Sequence, residues 1–149
     1  MKNLSDLLDR AMQIAVAAHA GDRGKAGLPY VLHPFRIMLQ MPSLETMIIA
    51  ALHDVVEDSE WTIDDLRKEG FPENILEAVD CLTRVPEESY EIYLERVQKN
   101  SLAVPVKLGD LRDNMDMKRL KKLTPNDLAR LQKYHQAYQL LKPLQEKAS

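Results

Sequence analysis

The sequence has few of the residues that build disulfide frameworks, thiolate metal sites or membrane spans. One of its 149 residues is cysteine, Cys81, so neither an intrachain disulfide nor a CxxC zinc site can form. We expect Cys81 to be a small core residue. No apolar run approaches the roughly 18 residues of a membrane helix, and the N-terminus has no signal-peptide core. The expectation is a cytoplasmic protein with no membrane partner.

The sequence also lacks a surplus of charge of either sign. Its 20 Lys and Arg residues face 23 Asp and Glu residues, for a formal net charge of -3. This balance does not fit a protein that binds nucleic acid through a basic surface, although a small anionic ligand needs only a local basic patch. Hydrophobic residues make up 45% of the chain and charged residues 29%, which predicts one globular domain over residues 1–149.

Nearly all of the chain has helical periodicity. Apolar residues at three- and four-residue spacings predict a first helix that begins near Leu4 and stops at Gly21. Three glycines and a proline predict a loop over residues 21–29. No segment has the pattern of a strand, a repeat or a linker, so the predicted fold class is all-α. Further helices are predicted over residues 34–41, 44–58, 62–70, 72–82, 88–99, 104–120 and 124–141.

The helix predicted over residues 44–58 is almost solidly apolar until it reaches an ionisable cluster. His53 and Asp54 are adjacent, and Glu57 and Asp58 follow about one turn later. Burying a charged group is costly unless it is paired or bound to a metal. The cluster therefore favours a metal-centred site on a buried central helix.

Two more residues complete a candidate ligand set. His33 precedes a proline at the entrance to a short helix, and Asp110 follows a series of apolar residues. Two imidazoles and two carboxylates suit Mn²⁺ or Fe²⁺ with open positions for water and substrate, whereas zinc is less favoured without thiolates. Each residue also has an ordinary structural interpretation, since histidines often enter helices and aspartates often cap them.

Three segments of the chain share the pattern of one family. They are Tyr30–Pro34 (YVLHP), His53–Asp58 (HDVVED) and Lys107–Met115 (KLGDLRDNM). Together they resemble the hydrolase domain of RelA/SpoT-type (p)ppGpp enzymes, a branch of the HD phosphohydrolase superfamily. The resemblance extends from about residue 11 to residue 115 and implies an HD-type helical bundle. The absence of a synthetase or regulatory region makes the chain similar to stand-alone small alarmone hydrolases.

The resemblance implies roles for individual residues. Mn²⁺ would be the bound ion, its ligands His33, His53, Asp54 and Asp110. The ion would lower the pKa of a bound water and polarise a phosphoryl oxygen. Glu57 and Asp58 would be the catalytic acidic pair, one of which transfers the proton.

The residues expected at the substrate are less tightly defined. Arg23 and Lys25 lie in the glycine-rich loop, where they are placed to meet phosphates or stack on a purine. Asn114 matches the family's nucleotide-contacting asparagine. Tyr30 either packs against a ribose or fills the core. Lys107 and Arg112 either face an anionic substrate or, as is favoured, are exposed helix charges. For His19, a cation at a helix end is favoured over a catalytic role.

Two departures from the family pattern concern the region near the nucleotide. The usual Arg-Lys pair of the loop is Gly24-Lys25 here, with Arg23 one position earlier. The usual Asp-Arg-x-His-Asn is Asp110–Asn114 (DLRDN), without that arginine and histidine. The metal ligands and the acidic pair are intact.

The leading interpretation is thus a metal-dependent (p)ppGpp 3′-pyrophosphohydrolase with a small nucleotide as its partner. One alternative is an HD-type hydrolase of another nucleotide or phosphate ester. The other is a non-catalytic helical domain that binds a nucleotide or a protein. The sequence gives no oligomeric state.

Overall fold

The computed structural model describes residues 2–148, which form nine α-helices and one 3₁₀ helix. Within these residues there is no β-strand, and a single antiparallel bridge pairs Arg23 with Pro29. The predicted all-α fold class is confirmed. The α-helices are α1 (Leu4–Ala18), α2 (Leu32–Met38), α3 (Leu44–Leu52), α4 (Val55–Asp58), α5 (Ile63–Glu69), α6 (Glu73–Leu82), α7 (Tyr90–Gln98), α8 (Ala103–Asn114) and α9 (Pro125–Ala148), and the 3₁₀ helix is Met117–Arg119.

Helix α3 lies at the centre of the molecule. It contacts α1, α2, α6 and α8, and its residues Ile48 to Leu52 are completely buried. A helix that is apolar on all sides is stable only when other elements cover all of it. The prediction of a buried central helix is therefore confirmed for the part up to Leu52.

The predicted continuous helix over residues 44–58 is wrong, because it breaks at His53 and Asp54. The Nδ1 atom of His53 donates to the carbonyl oxygen of Ala50 at 2.7 Å. In an uninterrupted α-helix that carbonyl would accept from the backbone N–H of Asp54. The break makes Glu57 and Asp58 part of the short helix α4, so they do not lie at the end of a long one.

Local capping signals define several helix ends as the sequence predicts. Thr62 and Asp65 form a capping box at the start of α5, and Gly70 ends that helix with a positive φ of 102°. Other boundaries differ from prediction. Helix α8 ends at Asn114, short of residue 120, and α9 continues past Pro143 to Ala148, beyond the predicted end at residue 141.

A glycine sets the distance between α2 and α8. A Cβ atom at Gly109 would lie 2.9 Å from Cγ2 of Ile37 and 3.1 Å from Cε of Met41. The absence of a side chain therefore allows α8 to approach α2 closely. This approach brings Asp110, the next residue of α8, opposite His33 on α2.

No helix within residues 2–148 is at once long enough and apolar enough to cross a bilayer.

Candidate metal centre

The four predicted metal ligands converge, although His33 and Asp110 are 77 residues apart in the chain. Ligand atoms of His33, His53 and Asp54 all lie within 4.8 Å of one another. The Oδ1 atom of Asp110 is 2.9 Å from Nε2 of His33 and 3.6 Å from Nε2 of His53. The turn between α3 and α4 and helix α2 thus bring His33, His53 and Asp54 into one group, and α8 places Asp110 against the two imidazoles.

The hydrogen bonding of His53 leaves one of its ring nitrogens available as a ligand. A carbonyl oxygen can only accept, so Nδ1 carries the hydrogen in the bond to Ala50. The buried Nε2 atom has no hydrogen-bond partner among the residues that the structure describes. It lies 3.2 Å from Oδ2 of Asp54, without hydrogen-bond geometry. With Nδ1 bonded to Ala50, Nε2 is the ring atom that can bind a positive ion among these carboxylate oxygens, either a proton or a metal, and the donor set fits a divalent metal.

The charges of the site also favour a bound cation. Burial by itself lowers the pKa of His33 and His53, but nearby carboxylates outweigh it and raise both values. Burial likewise disfavours an ionised Asp54, yet His53 keeps its pKa at about 2. The carboxylates therefore stay ionised although they are buried. Protons on His33 and His53 compete with a metal ion for this negative charge.

Lys107 holds the second oxygen of Asp110. Its Nζ atom donates to Oδ2 at 2.8 Å, while Asn114 Nδ2 donates to Oδ1 at 3.0 Å. Lys107 is only 8% exposed, so its prediction as an exposed helix charge is wrong. The ammonium group packs near the ring of Tyr93, and its charge is stabilised by the Asp110 carboxylate. The i, i+3 spacing of Lys107 and Asp110 is the sequence signal that indicates this pair.

Tyr30 contacts the candidate ligand set directly. Its hydroxyl donates to Oδ2 of Asp54 at 2.6 Å. Burial and the Asp54 carboxylate raise the pKa of the phenol, so the hydroxyl keeps its proton. The sequence interpretation, ribose contact or core packing, did not include this bond, which orients one metal-facing carboxylate.

The two acidic residues of α4 have different surroundings. Oε1 of Glu57 accepts from the backbone N–H of Arg84 at 2.8 Å. Asp58 is exposed at the surface, yet partial desolvation and the carboxylates of Asp54 and Glu57 raise its pKa to about 6. A carboxyl group with this pKa can both accept and release a proton near neutral pH. Asp58 is thus the better suited of the two to proton transfer.

A pocket adjoins the centre on the side of the glycine-rich loop. Lys25, Tyr30 and Asn114 line it, together with His33. Arg23 is not among its lining residues, because its guanidinium turns back to donate to the carbonyl oxygen of Asp22 at 3.2 Å. Three of the four predicted substrate residues therefore share one pocket, and a substrate contact by Arg23 stays a prediction.

A cluster of cations and aromatic rings was not foreseen from the sequence. Nζ of Lys133 lies 4.1 Å from the centre of the Tyr90 ring, and Cζ of Arg84 lies 5.4 Å from the same centre. Neither cation forms an ion pair in the part of the chain that the structure describes. Burial and the neighbouring cations Arg84 and Lys107 lower the pKa of Lys133. Both side chains are exposed, so this local excess of positive charge is accessible to an anion, and its origin in three separate elements left no local signal.

His19 differs from its predicted role. It follows α1, but its side chain is completely buried, and neither ring nitrogen forms a hydrogen bond within residues 2–146. Burial lowers its pKa, so the imidazole is neutral at pH 7 and the predicted cation at the helix end is wrong. Its ring packs 5.0 Å from the ring of Tyr30.

A second buried carboxylate, Asp113, was also missed. Its Oδ2 atom lies 2.6 Å from Nδ1 of His33, and Arg36 pairs with both of its oxygens. The sequence interpretation treated this position only as the loss of a family histidine. The i, i+3 spacings from His33 to Arg36 and from Asp110 to Asp113 place these groups on the facing sides of two helices.

Comparison with known proteins gives relatives that are named either pyrophosphohydrolases or pyrophosphokinases. No protein-family model matches the chain. A guanosine-3′,5′-bis(diphosphate) 3′-pyrophosphohydrolase of Haemophilus influenzae is 32% identical over 135 residues, which cover 80% of this chain and 20% of the relative. The enzyme of that name from Aquifex aeolicus is 29% identical over 72% of this chain and 17% of its own length. A GTP pyrophosphokinase of Streptomyces coelicolor is 31% identical over 72% of this chain and 14% of its own.

The chain thus spans a fifth or less of the length of these relatives. A solved structure of a metazoan ortholog of SpoT that hydrolyzes ppGpp shares the fold. Its TM-score is 0.74 at 20% identity, over 93% of this chain and 86% of that one. The chain is therefore related in sequence to the RelA/SpoT-type enzymes and has the fold of a SpoT ortholog, which confirms the resemblance to HD-domain hydrolases that its motifs predict.

Proposed function

We propose that this chain is a metal-dependent phosphohydrolase that releases pyrophosphate from the 3′ position of (p)ppGpp. One observation carries the proposal above the others. The unpartnered Nε2 atom of His53 faces the carboxylates of Asp54 and Asp110, with the acidic pair of α4 alongside. The names of the relatives supply the substrate, and the cytoplasm is the compartment we assign to a nucleotide hydrolase of this kind.

The proposed ion is Mn²⁺, held by His33, His53, Asp54 and Asp110. A mixed set of imidazole and carboxylate ligands suits this ion, and the resemblance to the family favours it. When bound, the metal supplies Lewis-acid polarisation of a phosphoryl oxygen and an acidified water. Tyr30, Lys107 and Asn114 fix the two carboxylates through hydrogen bonds, so these ligands need no rearrangement before the ion binds.

In the proposed reaction, Asp58 moves the proton. A water oxygen forms a bond to the phosphorus that is attached to the ribose 3′-oxygen, and the bond from this phosphorus to the 3′-oxygen breaks. Asp58 takes a proton from the water and returns one to the 3′-oxygen, so that GDP or GTP and pyrophosphate result. Glu57 is the partner carboxylate of the pair, held by the backbone of Arg84. Proton transfer of this kind contributes about 10²–10⁴-fold to a rate.

The substrate would occupy both sides of the metal centre. We assign the nucleoside part to the pocket of Lys25, Tyr30 and Asn114, with Arg23 at its edge. Phosphate oxygens carry the charge that Arg84 and Lys133 would neutralise on the other side. The names of the relatives favour a guanine nucleotide as the substrate, and the two cations favour a phosphorylated one.

A nucleotide panel tests the proposal. Protein stripped of metal with a chelator is assayed for pyrophosphate and phosphate release from ppGpp, pppGpp and other nucleotides, with Mn²⁺, Mg²⁺, Zn²⁺ or no metal. We expect ppGpp turnover with Mn²⁺, its loss in His53→Ala, and normal turnover in His135→Ala, an exposed histidine of α9. No hydrolysis of any nucleotide with any of the metals would refute an enzymatic role.

A second candidate substrate class deserves the same panel. The loop between α1 and α2 departs from the family pattern, and the guanidinium of Arg23 donates to the carbonyl oxygen of Asp22 and does not line the pocket. This arrangement favours a hydrolase of another nucleotide or phosphate ester. Turnover of such a compound in preference to ppGpp would select this candidate. A protein that binds nucleotide but neither binds Mn²⁺ nor hydrolyses any substrate would be the non-catalytic domain.

A further inference from the structure

The carboxylate of Asp113 joins a candidate metal ligand to two arginines. Its Oδ2 atom lies 2.6 Å from Nδ1 of His33. Arg36 donates from Nε to Oδ1 at 2.7 Å and from Nη2 to Oδ2 at 2.9 Å, a two-pronged ion pair. Arg119 approaches the other side, and its Nη2 donates to the backbone carbonyl of Asp113 at 2.8 Å. The Asp113 side chain is 8% exposed, so these contacts are largely shielded from water.

This arrangement determines which nitrogen of His33 is available. A carboxylate that is paired with an arginine accepts hydrogen bonds and does not donate them, so Nδ1 of His33 carries the hydrogen. The other nitrogen, Nε2, then points to Asp110, 2.9 Å away, and to Asp54, 3.8 Å away. In His53 it is also Nδ1 that donates, to the carbonyl oxygen of Ala50, so Nε2 is again the available nitrogen. Both histidines present Nε2 to one point, but only His33 is oriented by a charged group.

We infer that Asp113 is a positioning residue that turns Nε2 of His33 toward the metal position and strengthens it as a ligand, while Arg36 and Arg119 hold Asp113 in place. A carboxylate behind a ligating imidazole fixes the plane of the ring and makes the ring more basic. Aspartate occupies a position where the family pattern has histidine, so the device belongs to this chain's own sequence. The inference rests on the proposed role of His33 as a ligand and not on which phosphate ester is cleaved.

A purely structural role for Asp113 makes different predictions. If the residue only ties α2 to α8 through Arg36, its loss lowers the melting temperature but leaves the metal affinity of the folded protein unchanged. If it positions His33, its loss weakens metal binding even in variants that remain folded. Metal affinity therefore separates the two roles, whereas activity at one metal concentration does not.

The test is calorimetric titration of Mn²⁺ into metal-free protein. We expect Asp113→Ala to raise the Kd for Mn²⁺ by about 10–100-fold, the usual cost of losing such a partner. Asp113→Asn keeps the shape and one acceptor but removes the charge, so we expect a smaller increase in the same direction. Asp116→Asn is the matched control, because Asp116 pairs with Arg119 but does not touch His33. Its Kd should stay within about twofold of the parent, because Asp116 forms only a half-buried ion pair that includes none of the candidate ligands.

A second readout is rescue by excess metal. For Asp113→Asn we expect the kcat for ppGpp to recover towards the parent value when Mn²⁺ is raised well above the new Kd. Parent affinity for Mn²⁺ in both Asp113 variants, confirmed as folded by circular dichroism, would overturn the inference and leave the proposed function standing. No binding of Mn²⁺ by the parent protein would overturn both. If Asp113→Ala does not fold, the Asn variant decides.

Discussion

The metal centre and the glycine-rich loop beside it are built in opposite ways. In the centre, His33, His53 and Asp110 are each less than a tenth exposed, and protein groups orient their side chains. In the loop, Arg23 and Lys25 are exposed, and the backbone turns through glycines with positive φ. A site that must stabilise charge benefits from groups fixed in advance, whereas a recognition loop can vary without loss of the core. Under the proposed function, this difference predicts that mutations in the loop alter substrate choice without loss of the chemistry at the centre.

The largest difference between the two regions is expected when an aspartate in each is replaced by alanine. Asp54→Ala removes a metal-facing carboxylate, and we expect hydrolysis to fall by about 10³-fold or more, since Lewis-acid stabilisation is worth several kcal/mol. Asp22→Ala changes an exposed loop residue, and we expect kcat/KM within about threefold of the parent. Steady-state kinetics with Mn²⁺ measures both. Similar losses in the two variants would show that the regions are not separable.

The buried pair behind Asp110 tests whether the centre is held by charge. Lys107→Met leaves the Asp110 carboxylate without its ammonium partner, and we expect the free energy of unfolding to fall by about 3–5 kcal/mol. Mn²⁺ should recover part of this loss, because a metal replaces the missing positive charge. Urea denaturation in chelator and in Mn²⁺ measures it, with the exposed Lys122→Met as control. A change below 0.5 kcal/mol, the size usual for surface substitutions, would contradict the assignment.

Asp58 lies where the two regions meet, and its raised pKa predicts two effects of pH. As the base, it must be ionised, so kcat/KM should fall as the pH drops through about 6. Asp58→Asn should lower kcat about 10²-fold and remove this limb of the profile. A limb that persists in the variant would assign it to another group.

The same group affects stability with a defined sign. The folded state holds the proton more tightly than the unfolded chain, whose value is near 3.8. The stabilisation is thus present at low pH and is lost as the pH rises through about 6. Asp58→Asn should therefore melt at a higher temperature than the parent at pH 7.5, with no difference below pH 3.8. The exposed Asp9→Asn on α1 is the control, and an equal shift there would contradict the explanation.

The smallest effects are expected within the loop. Lys25→Ala removes a cation that lines the pocket, and we expect KM for ppGpp to rise about three- to tenfold with little change in kcat. Arg23→Ala should have a smaller effect, because its side chain bonds to its own loop. A larger rise in KM for Arg23→Ala than for Lys25→Ala would mean that the loop rearranges when substrate binds, unlike the fixed side chains of the centre.

The same division explains how much of the molecule the sequence could predict. The helices and the caps at Thr62 and Gly70 follow from periodicity and local signals. The convergence of His33, His53, Asp54 and Asp110 was implied by the resemblance to the family. The helix break at His53 could not be read from the pattern, because it depends on one side-chain bond to Ala50.

The groups that support the site were missed for a related reason. Lys107 was predicted to be a surface charge because helical periodicity does not show which other helices pack against the side of α8 that carries it. The cluster of Arg84, Tyr90 and Lys133 combines a loop and two helices, so only the tertiary fold brings it together. Local chemistry was therefore visible in the sequence, and long-range support was not.

Gly109 has a consequence for how the protein can change by mutation. It carries no functional group, yet any side chain there would press on Ile37 and push α8 away from α2. Such a shift would separate His33 from both Asp110 and Asp113 at once. In a saturation mutagenesis screen, position 109 should therefore tolerate as few substitutions as the ligands themselves. The distance between α2 and α8 thus depends on the absence of a Cβ atom at position 109. A substitution there would be tolerated better together with a second mutation that makes residue 37 smaller.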